Sequence, residues 1–333
     1  MKILRSFEEA AAAGLRRPVV TLGMFDGVHI GHRMVLDWVV SVARERAGDA
    51  VVVTFARHPR AVIENRAPKL LTSVPHKLRI FASLGITATL ILEFDEELRS
   101  TPARDFAERL FAESLSAETV ILGYNNRFGR DGEGNIELLR EVGADRGFEA
   151  RQAEEVRLGE VPVSSTAIRR LILEGDLDGA SRMLMRPVSV LGTVVRGDGI
   201  GRDLGFPTAN LDLHHEVRPP PGVYGCEAEV SGVRRFGLVN IGTRPTIQEA
   251  ESQDTASEWA ARDAGERIEV HLLGHDGDLY GQDMEVVFLV RLRDEQRFDG
   301  LDALKAQIAR DRVAFEGWLE GARPSVDEGD TPS

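Results

Sequence analysis

The chain has 333 residues, a net charge of −13 and 42% hydrophobic residues, which suits two ordinary globular domains. So acidic a chain is a poor candidate for coating nucleic acid, and no run approaches the roughly 18 apolar residues of a membrane helix. Glu8 and Glu9 stand where a secretory signal would be apolar, and the single cysteine, Cys226, excludes an intramolecular disulfide and a multi-cysteine metal site. We therefore expect a cytoplasmic protein without nucleic-acid or membrane partners, and the sequence leaves a homo-oligomer open.

The first half of the sequence alternates β-branched apolar runs with amphipathic segments. Strands are predicted at 18–25, 51–55, 88–94, 119–124 and 148–156. Helices are predicted at 32–46, 76–84, 103–115, 135–147 and 165–173. This alternation predicts a Rossmann-like, doubly wound parallel sheet with helices on both faces.

The pattern changes near Arg186 and Pro187, where short strands separated by turns begin. These strands are predicted at 188–196, 208–213, 222–230, 234–241, 268–273 and 284–292, before a helix at 299–318. Such a series predicts an antiparallel β-barrel with a terminal helix. We therefore expect an α/β domain at 1–186, a barrel domain at 187–318 and a disordered acidic tail at 319–333.

The segment 23–32 reads Gly-Met-Phe-Asp-Gly-Val-His-Ile-Gly-His and joins the first predicted strand to the first predicted helix. Ligands of open α/β sheets bind at the carboxyl ends of strands, and a helix N-terminus attracts anions. His29 and His32 are three residues apart, so they project to one side and can donate hydrogen bonds to a triphosphate. Ser164, Ser165 and Arg169 open the last helix of the domain, where they can cap it or bind phosphate.

The segment 197–211 reads Gly-Asp-Gly-Ile-Gly-Arg-Asp-Leu-Gly-Phe-Pro-Thr-Ala-Asn-Leu. Its glycines let the backbone approach a polyanion, and Thr208 and Asn210 share one face of an extended segment. A hydroxyl and an amide oxygen beside a glycine flap can hold phosphates and Mg²⁺. Further along, strand alternation turns Glu269 away from its apolar neighbours Ile268 and Val270, which makes it a candidate base.

These segments carry a resemblance that covers nearly the whole chain. The glycine segment with Phe-Pro-Thr-Ala-Asn resembles the nucleotide loop of riboflavin kinases, and 29–32 resembles the His-x-Gly-His box of nucleotidyltransferases. The chain as a whole is similar to the bacterial bifunctional riboflavin kinase/FAD synthetase family. The resemblance implies an N-terminal FMN adenylyltransferase domain and a C-terminal riboflavin kinase barrel. It also implies that riboflavin becomes FMN and FMN becomes FAD, each with Mg-ATP, and that the second step releases pyrophosphate.

The resemblance also implies residue roles. The catalytic residues would be Glu269, as base of the kinase, and His29, His32 and Arg169. ATP for adenylyl transfer would contact Gly23, Phe25, Asp26, Gly27, His29, His32, Ser164, Ser165, Thr166 and Arg169. FMN would contact His58, Asn125 and Phe128. ATP for the kinase would contact Gly197, Gly199, Gly201, Thr208 and Asn210, the last two also holding Mg²⁺, while Phe298 would cover the flavin or only staple the last helix.

Three departures from the family pattern keep alternatives open. An acidic stretch, 247–267, precedes Glu269 and would hinder riboflavin access if it folded over the site. Asn126 stands where the family has a phenylalanine that would stack on flavin, and Gly274-His275 replaces Asp-Phe. The alternatives are an enzyme with one active site, a flavin-nucleotide-binding regulator without turnover, and a nucleotidyltransferase for another phosphate ester.

Overall fold

A computed structural model describes residues 1–57, 68–159, 161–197, 205–243, 266–275 and 277–322. The chain divides into two compact units, with the main division between Arg186 and Pro187. The first unit also includes His215–Val217, and the second includes Leu173–Leu177. Among the predicted features, His58, Gly199, Gly201, most of the acidic stretch and the tail beyond 322 lie outside the described residues.

Six strands of the described chain form the sheet of the first unit: β1 (Lys2–Leu4), β2 (Val19–Leu22), β3 (Ala50–Phe55), β4 (Ala88–Leu92), β5 (Thr119–Leu122) and β6 (Glu149–Gln152). Their order is β1-β4-β3-β2-β5-β6, and every pair is parallel. The chain winds from β2 to β3 and β4, then crosses to β5 and β6, so the winding direction switches between β2 and β5. Ligands bind at such a switch point in open α/β sheets.

Eight α-helices accompany the sheet within the described residues: α1 (Phe7–Ala12), α2 (Ile30–Glu45), α3 (Val74–Leu84), α4 (Glu96–Ser100), α5 (Ala103–Ala107), α6 (Ile136–Arg146), α7 (Ser165–Glu174) and α8 (Leu177–Leu184). A small hairpin pairs β7 (Arg157–Leu158) with β8 (Val161–Pro162). The helix predicted at 103–115 continues beyond α5 as a π-helix, Glu108–Ser114. The wider turn buries Leu110 and Phe111 together, although they are adjacent in sequence.

Apolar side chains cover both faces of this sheet. Val51 and Val53 pack with Phe111 on one face, whereas Val52 packs with Phe81 on the other. Strand alternation explains the division, because successive side chains point to opposite faces. The continuous valine run therefore belongs to a strand buried on both sides, as the sequence predicts.

The second unit is a barrel closed by six described strands: β9 (Ser189–Val195), β10 (Ala209–Leu213), β11 (Gly222–Val230), β12 (Val233–Thr243), β13 (Glu266–Leu272) and β14 (Asp283–Arg293). All its pairs are antiparallel, and the pairing of β9 with β10 closes it. Helix α9 (Leu301–Ala322) follows the barrel. The predicted fold class, a doubly wound sheet followed by an antiparallel barrel with a terminal helix, is confirmed.

Helix α9 packs on the barrel through the fully buried Phe315, whose ring centroid lies 6.2 Å from that of Phe236. Gly225 on β11 faces the same ring, and a Cβ atom there would overlap it. Glycine at this position is therefore explained by packing and not by backbone conformation.

Candidate active sites

A cavity of about 410 Å³ opens at the carboxyl ends of β2 and β5, at the switch point of the first unit. Most of the residues predicted to contact ATP line it, together with one predicted flavin residue: Gly23, Phe25, His29, His32, Ser164, Ser165 and Asn125. These residues come from three separate segments of the chain. The fold therefore gathers the glycine-histidine turn, the loop after β5 and the start of α7 around one space.

His29 and His32 form a stacked pair at the start of α2, with ring centroids 3.6 Å apart. His29 caps the helix, because its Nδ1 accepts a hydrogen bond from the backbone N–H of His32 at 3.3 Å. Burial lowers the pKa of His29 to about 4, with a smaller effect from the Arg186 charge. A neutral His29 that accepts at Nδ1 carries its proton on Nε2, so the ring retains one N–H to donate to a ligand.

Burial also lowers the pKa of His32 well below its usual value, and the charges on His29 and Lys77 act in the same direction. Its Nδ1 is buried and has no hydrogen-bond partner within the described parts of the chain. Phe25 contacts the same ring edge-on, with centroids 5.3 Å apart. Both imidazoles are therefore neutral at neutral pH and suited to donate hydrogen bonds.

Asp26 and Arg169 lie beside the cavity and outside its wall. Asp26 is 3% exposed, and its Oδ1 accepts from the backbone N–H groups of Leu71 and Thr72 at 2.8 and 3.1 Å. Arg169 donates to Asp26 Oδ2 at 2.9 Å and to the Lys69 carbonyl at 2.7 Å. Burial raises the pKa of Asp26, against the effect of these donors. Both side chains thus hold the turn, and direct contact with ATP stays a prediction for each.

The start of α7 supplies two hydroxyl groups to the cavity wall. Ser164 Oγ accepts from the backbone N–H of Ala167 at 3.2 Å, which is the expected cap. Ser165 Oγ donates to the Asp26 carbonyl at 2.9 Å. Neither Thr166 nor Gly27 lines the cavity. Thr166 is exposed, whereas Gly27 is buried and its N–H donates to Thr72 Oγ1 at 2.9 Å.

The loop after β5 places only part of its predicted flavin residues at the cavity. Asn125 lines the cavity, but Phe128 is 5% exposed and packs in the core, with its ring centroid 6.0 Å from that of Phe106. Asn126 also lines the cavity, and its amide donates to the carbonyl of Leu22. The structure therefore separates Phe128 from the cavity, and its contact with flavin stays a prediction.

Two buried charged residues of the first unit, Lys77 and Glu216, were not predicted from the sequence. Lys77 lies on the apolar stripe of α3, three residues after Val74 and four before Phe81. This spacing could have indicated that Lys77 is buried. Glu216 is 1% exposed and accepts a hydrogen bond from the backbone N–H of Ser73 at 2.6 Å. No sequence signal points to Glu216, since it lies 143 residues from its partner. The cavity wall also includes Tyr124, Glu154 and Glu155, which were not predicted.

Three polar residues form a row across the barrel of the second unit. Glu269 on β13 pairs in register with Asn210 on β10 and with Asn240 on β12. Residues in direct register share a face of the sheet. Their neighbours Ile268 and Val270 are buried in the barrel, whereas the three polar residues are half-buried. The row therefore lies on the face opposite Ile268 and Val270, as strand alternation predicts for Glu269.

A second cavity, of about 430 Å³, lies at the barrel. Thr208 lines it with Pro207 and Gly205, while Asn210 and Glu269 are not in its wall. Gly197 lies against the Asn210 amide, which a Cβ atom at 197 would overlap. The predicted kinase residues are thus divided between the cavity wall and the polar row.

Phe298 is partly buried, with the guanidinium carbon of Arg293 5.7 Å from its ring centroid. Arg293 in turn pairs with the buried Asp311 on α9, with an N–O distance of 2.9 Å. The flavin contact predicted for Phe298 remains a prediction. In the parts of the chain that the structure describes, no three His, Cys, Asp or Glu side chains are grouped to hold a metal ion.

The two units define a chain with a nucleotide-binding α/β domain followed by a kinase-type β-barrel. The family model of FAD synthetase matches residues 12–167, and that of riboflavin kinase matches residues 184–319. The chain belongs to the bacterial family of bifunctional riboflavin kinase/FMN adenylyltransferases, which confirms the resemblance seen in the sequence.

Curated relatives named bifunctional riboflavin kinase/FMN adenylyltransferase match over most of their length. The protein of Escherichia coli (strain K12) is 36% identical over 98% of this chain and 100% of its own, and that of Bacillus subtilis (strain 168) is 30% identical over 89% and 90%. A crystal structure described as a macrolide-efflux protein from Streptococcus pneumoniae is 26% identical, with a TM-score of 0.76 over 96% of this chain and 100% of that chain. Among the helices described for the present chain, none has the length and apolar character needed to span a membrane.

The low pKa of His29 predicts acid sensitivity of the first unit. Below pH about 6.5 the unfolded chain gains a proton on His29 that the folded chain does not accept until pH about 4. The free energy of unfolding should therefore fall as the pH falls between these values, by at most about 3 kcal/mol from this group. Urea denaturation at several pH values should show a shallower loss for His29→Gln than for the wild type.

His215→Gln, which changes an exposed histidine, is the control for this measurement. A pH dependence as steep in His29→Gln as in the wild type would show that His29 is not the group responsible.

Proposed function

We propose that this chain converts a flavin in two successive steps that each consume ATP. The barrel phosphorylates riboflavin to FMN, and the α/β unit joins AMP to FMN, which gives FAD and pyrophosphate. The observation that carries the proposal is the presence of two separate polar sites in one chain of this family, a stacked histidine pair at the switch point and a glutamate flanked by two asparagines. We further propose that it works in the cytoplasm, without nucleic acid or membrane, and leave a homo-oligomer open.

For adenylyl transfer, the FMN phosphate is already a nucleophile, so the step needs positioning and charge stabilisation more than a base. A phosphate oxygen of FMN attacks the α-phosphorus of ATP, and the bond to the bridging oxygen of pyrophosphate breaks. The neutral rings of His29 and His32 donate hydrogen bonds to the phosphate oxygens as negative charge builds up. Ser164 and Ser165 add hydroxyl groups from the same cavity wall.

For phosphoryl transfer, the riboflavin hydroxyl is a weak nucleophile and benefits from a base. We assign this role to Glu269, which accepts the hydroxyl proton as the oxygen attacks the γ-phosphorus and ADP leaves. Asn210, directly opposite Glu269 on β10, places an amide next to this carboxylate. The reaction thus uses the polar row for the proton and Thr208 for the nucleotide.

The residues at the glycine segment fit Mg²⁺ bound with ATP. Thr208 offers a hydroxyl and Asn210 a carbonyl oxygen, and hard oxygen donors of this kind suit an ion that keeps phosphate and water ligands. The close approach of Gly197 to the Asn210 amide leaves backbone without a side chain beside Asn210. When bound, the ion neutralises phosphate charge during transfer.

Two alternatives within the same family rest on departures of the sequence from the family pattern. Asn126, in place of an aromatic residue, reduces the stacking surface for flavin in the first unit, so the kinase alone could be active. The acidic stretch before β13 could restrict riboflavin, so the adenylyltransferase alone could be active. A regulator without turnover has less support, because binding alone does not require Glu269.

A time course with purified protein, riboflavin, ATP and Mg²⁺ tests the proposal, with riboflavin, FMN and FAD separated by chromatography. FMN should appear first and then decline as FAD forms, and a parallel reaction started from FMN should give FAD directly. Unchanged riboflavin with conversion of added FMN would leave only the first unit active. Flavin binding without either product would favour the regulator.

Glu269→Gln should reduce FMN formation about 100-fold or more, because the amide keeps the shape but cannot accept the proton. Conversion of FMN to FAD should continue at the wild-type rate, measured in the same preparation. Glu229→Gln, at a half-buried glutamate of β11, is the matched control and should leave both reactions unchanged. An equal loss of both activities in Glu269→Gln would contradict a role as base.

His29→Asn should lower FAD formation about 100-fold while sparing the kinase, because it removes the Nε2–H donor. Asparagine is a favourable helix cap, so the start of α2 is retained and the effect reports the lost donor. The rate of FAD formation under saturating FMN and ATP measures it. A rate close to that of the wild type would remove His29 from the transition state.

A further inference from the structure

Lys77 is a buried cation directly behind the first active site. It is 1% exposed, and its ammonium donates to the carbonyl of Met24 at 3.0 Å and to the hydroxyl of Thr54 at 3.4 Å. Met24 follows β2, and Thr54 lies near the end of β3. The ammonium therefore lies at the carboxyl edge of two neighbouring strands, next to the turn that leads to His29.

The environment of Lys77 is unusual for a charged group. Within the described ranges no carboxylate lies at ion-pair distance from it, and Asp26, which attracts it, is already held by Arg169. Burying a cation costs several kcal/mol unless close partners compensate. A protein that keeps such a group beside a functional site commonly uses its charge.

The turn that Lys77 holds is strained. Phe25 and Val28 have φ values of +49° and +42°, in the left-handed region that residues other than glycine rarely adopt. Such a conformation persists only where neighbouring contacts enforce it. The bond from Lys77 to the Met24 carbonyl acts at the start of the turn, and the bonds of Asp26 to Leu71 and Thr72 act at its middle.

The same turn sets the histidine pair. Phe25 contacts the ring of His32, whose pKa the Lys77 charge helps to lower. The titratable groups that face the Lys77 ammonium are thus Asp26 and His32. Burial is the main cause of the lowered pKa of His32, and a cation here adds to that effect. The same charge makes the floor of a triphosphate site more positive.

We propose that Lys77 is a positioning residue for adenylyl transfer, which as an ammonium holds the strained turn 24–28 so that His29 and His32 meet the triphosphate. The inference rests on the proposed FMN adenylyltransferase function of the first unit. It does not involve the barrel, so riboflavin phosphorylation in the same protein is an internal control.

Burial lowers the pKa of Lys77 to about 8, and the Asp26 charge opposes this effect. The ammonium is therefore lost as the pH rises through about 8. The value of kcat/KM for FAD synthesis, which reports the free enzyme, should fall above this pH in the wild type. Lys77→Arg keeps a positive charge at all accessible pH values. The value of kcat/KM for FAD synthesis by this variant should therefore not fall above pH about 8.

The experiment measures kcat/KM for FAD synthesis from pH 6 to pH 10, in wild type, Lys77→Met and Lys77→Arg. Lys77→Met should be about 10- to 100-fold slower at pH 7, without the alkaline fall, and its rate of riboflavin phosphorylation should be unchanged. Lys2→Met is the matched control, since Lys2 is exposed in the same unit and also donates to a backbone carbonyl, that of Ala13, at 2.7 Å.

A wild-type kcat/KM in Lys77→Met, or an equal loss in both reactions, would overturn the inference. A fall in kcat/KM at alkaline pH that is the same in wild type and Lys77→Arg would also overturn it. If Lys77→Met does not accumulate as folded protein, the comparison of wild type with Lys77→Arg is sufficient by itself. A wild-type protein that makes no FAD at any pH would instead refute the proposed function.

Discussion

The first active site depends on the buried carboxylate of Asp26. It accepts hydrogen bonds from two backbone N–H groups, of Leu71 and Thr72, and from the guanidinium of Arg169. One side chain therefore joins three segments that are far apart in the sequence. These are the turn after β2, the approach to α3 and the start of α7. Removing the carboxylate would leave two buried backbone donors without this acceptor and the half-buried Arg169 without its ion pair, which costs more than the loss of one contact.

The start of α3 adds a second level of support. Ser73 caps the helix, and Glu216 places a carboxylate against the Ser73 N–H and the ring of His76, 3.0 Å from its Nδ1. A negative charge at a helix N-terminus is favourable, because the first N–H groups carry partial positive charge. The helix that is fixed in this way carries Lys77. The site is thus held from behind by charges that no ligand needs to touch.

Sequence reasoning predicted the parts that depend on local pattern. Five of the six parallel strands, the barrel and the histidine turn follow from periodicity and motif, whereas the edge strand β1 and the small β7–β8 hairpin were not predicted. The structure gathers His29, His32 and Ser165 around one cavity. Sequence reasoning is limited where a side chain has a choice of partners. A motif does not show whether Arg169 binds a phosphate or Asp26. It also does not show whether Phe128 contacts a flavin or packs in the core. Glu216 was beyond reach, because its partners lie in another part of the chain.

The register of the barrel fixes the position of Glu269 independently of the number of residues between β12 and β13. Seven consecutive pairs join β12 to β13, from Gly237 with Leu272 to Thr243 with Glu266, so Glu269 is aligned with Asn240 by the ladder itself. Lengthening a loop adds only about 0.6 kcal/mol for each doubling. Chains of this architecture can therefore gain or lose residues between these two strands and keep the carboxylate in place, which makes this connection a tolerant point for sequence divergence or for an engineered insertion.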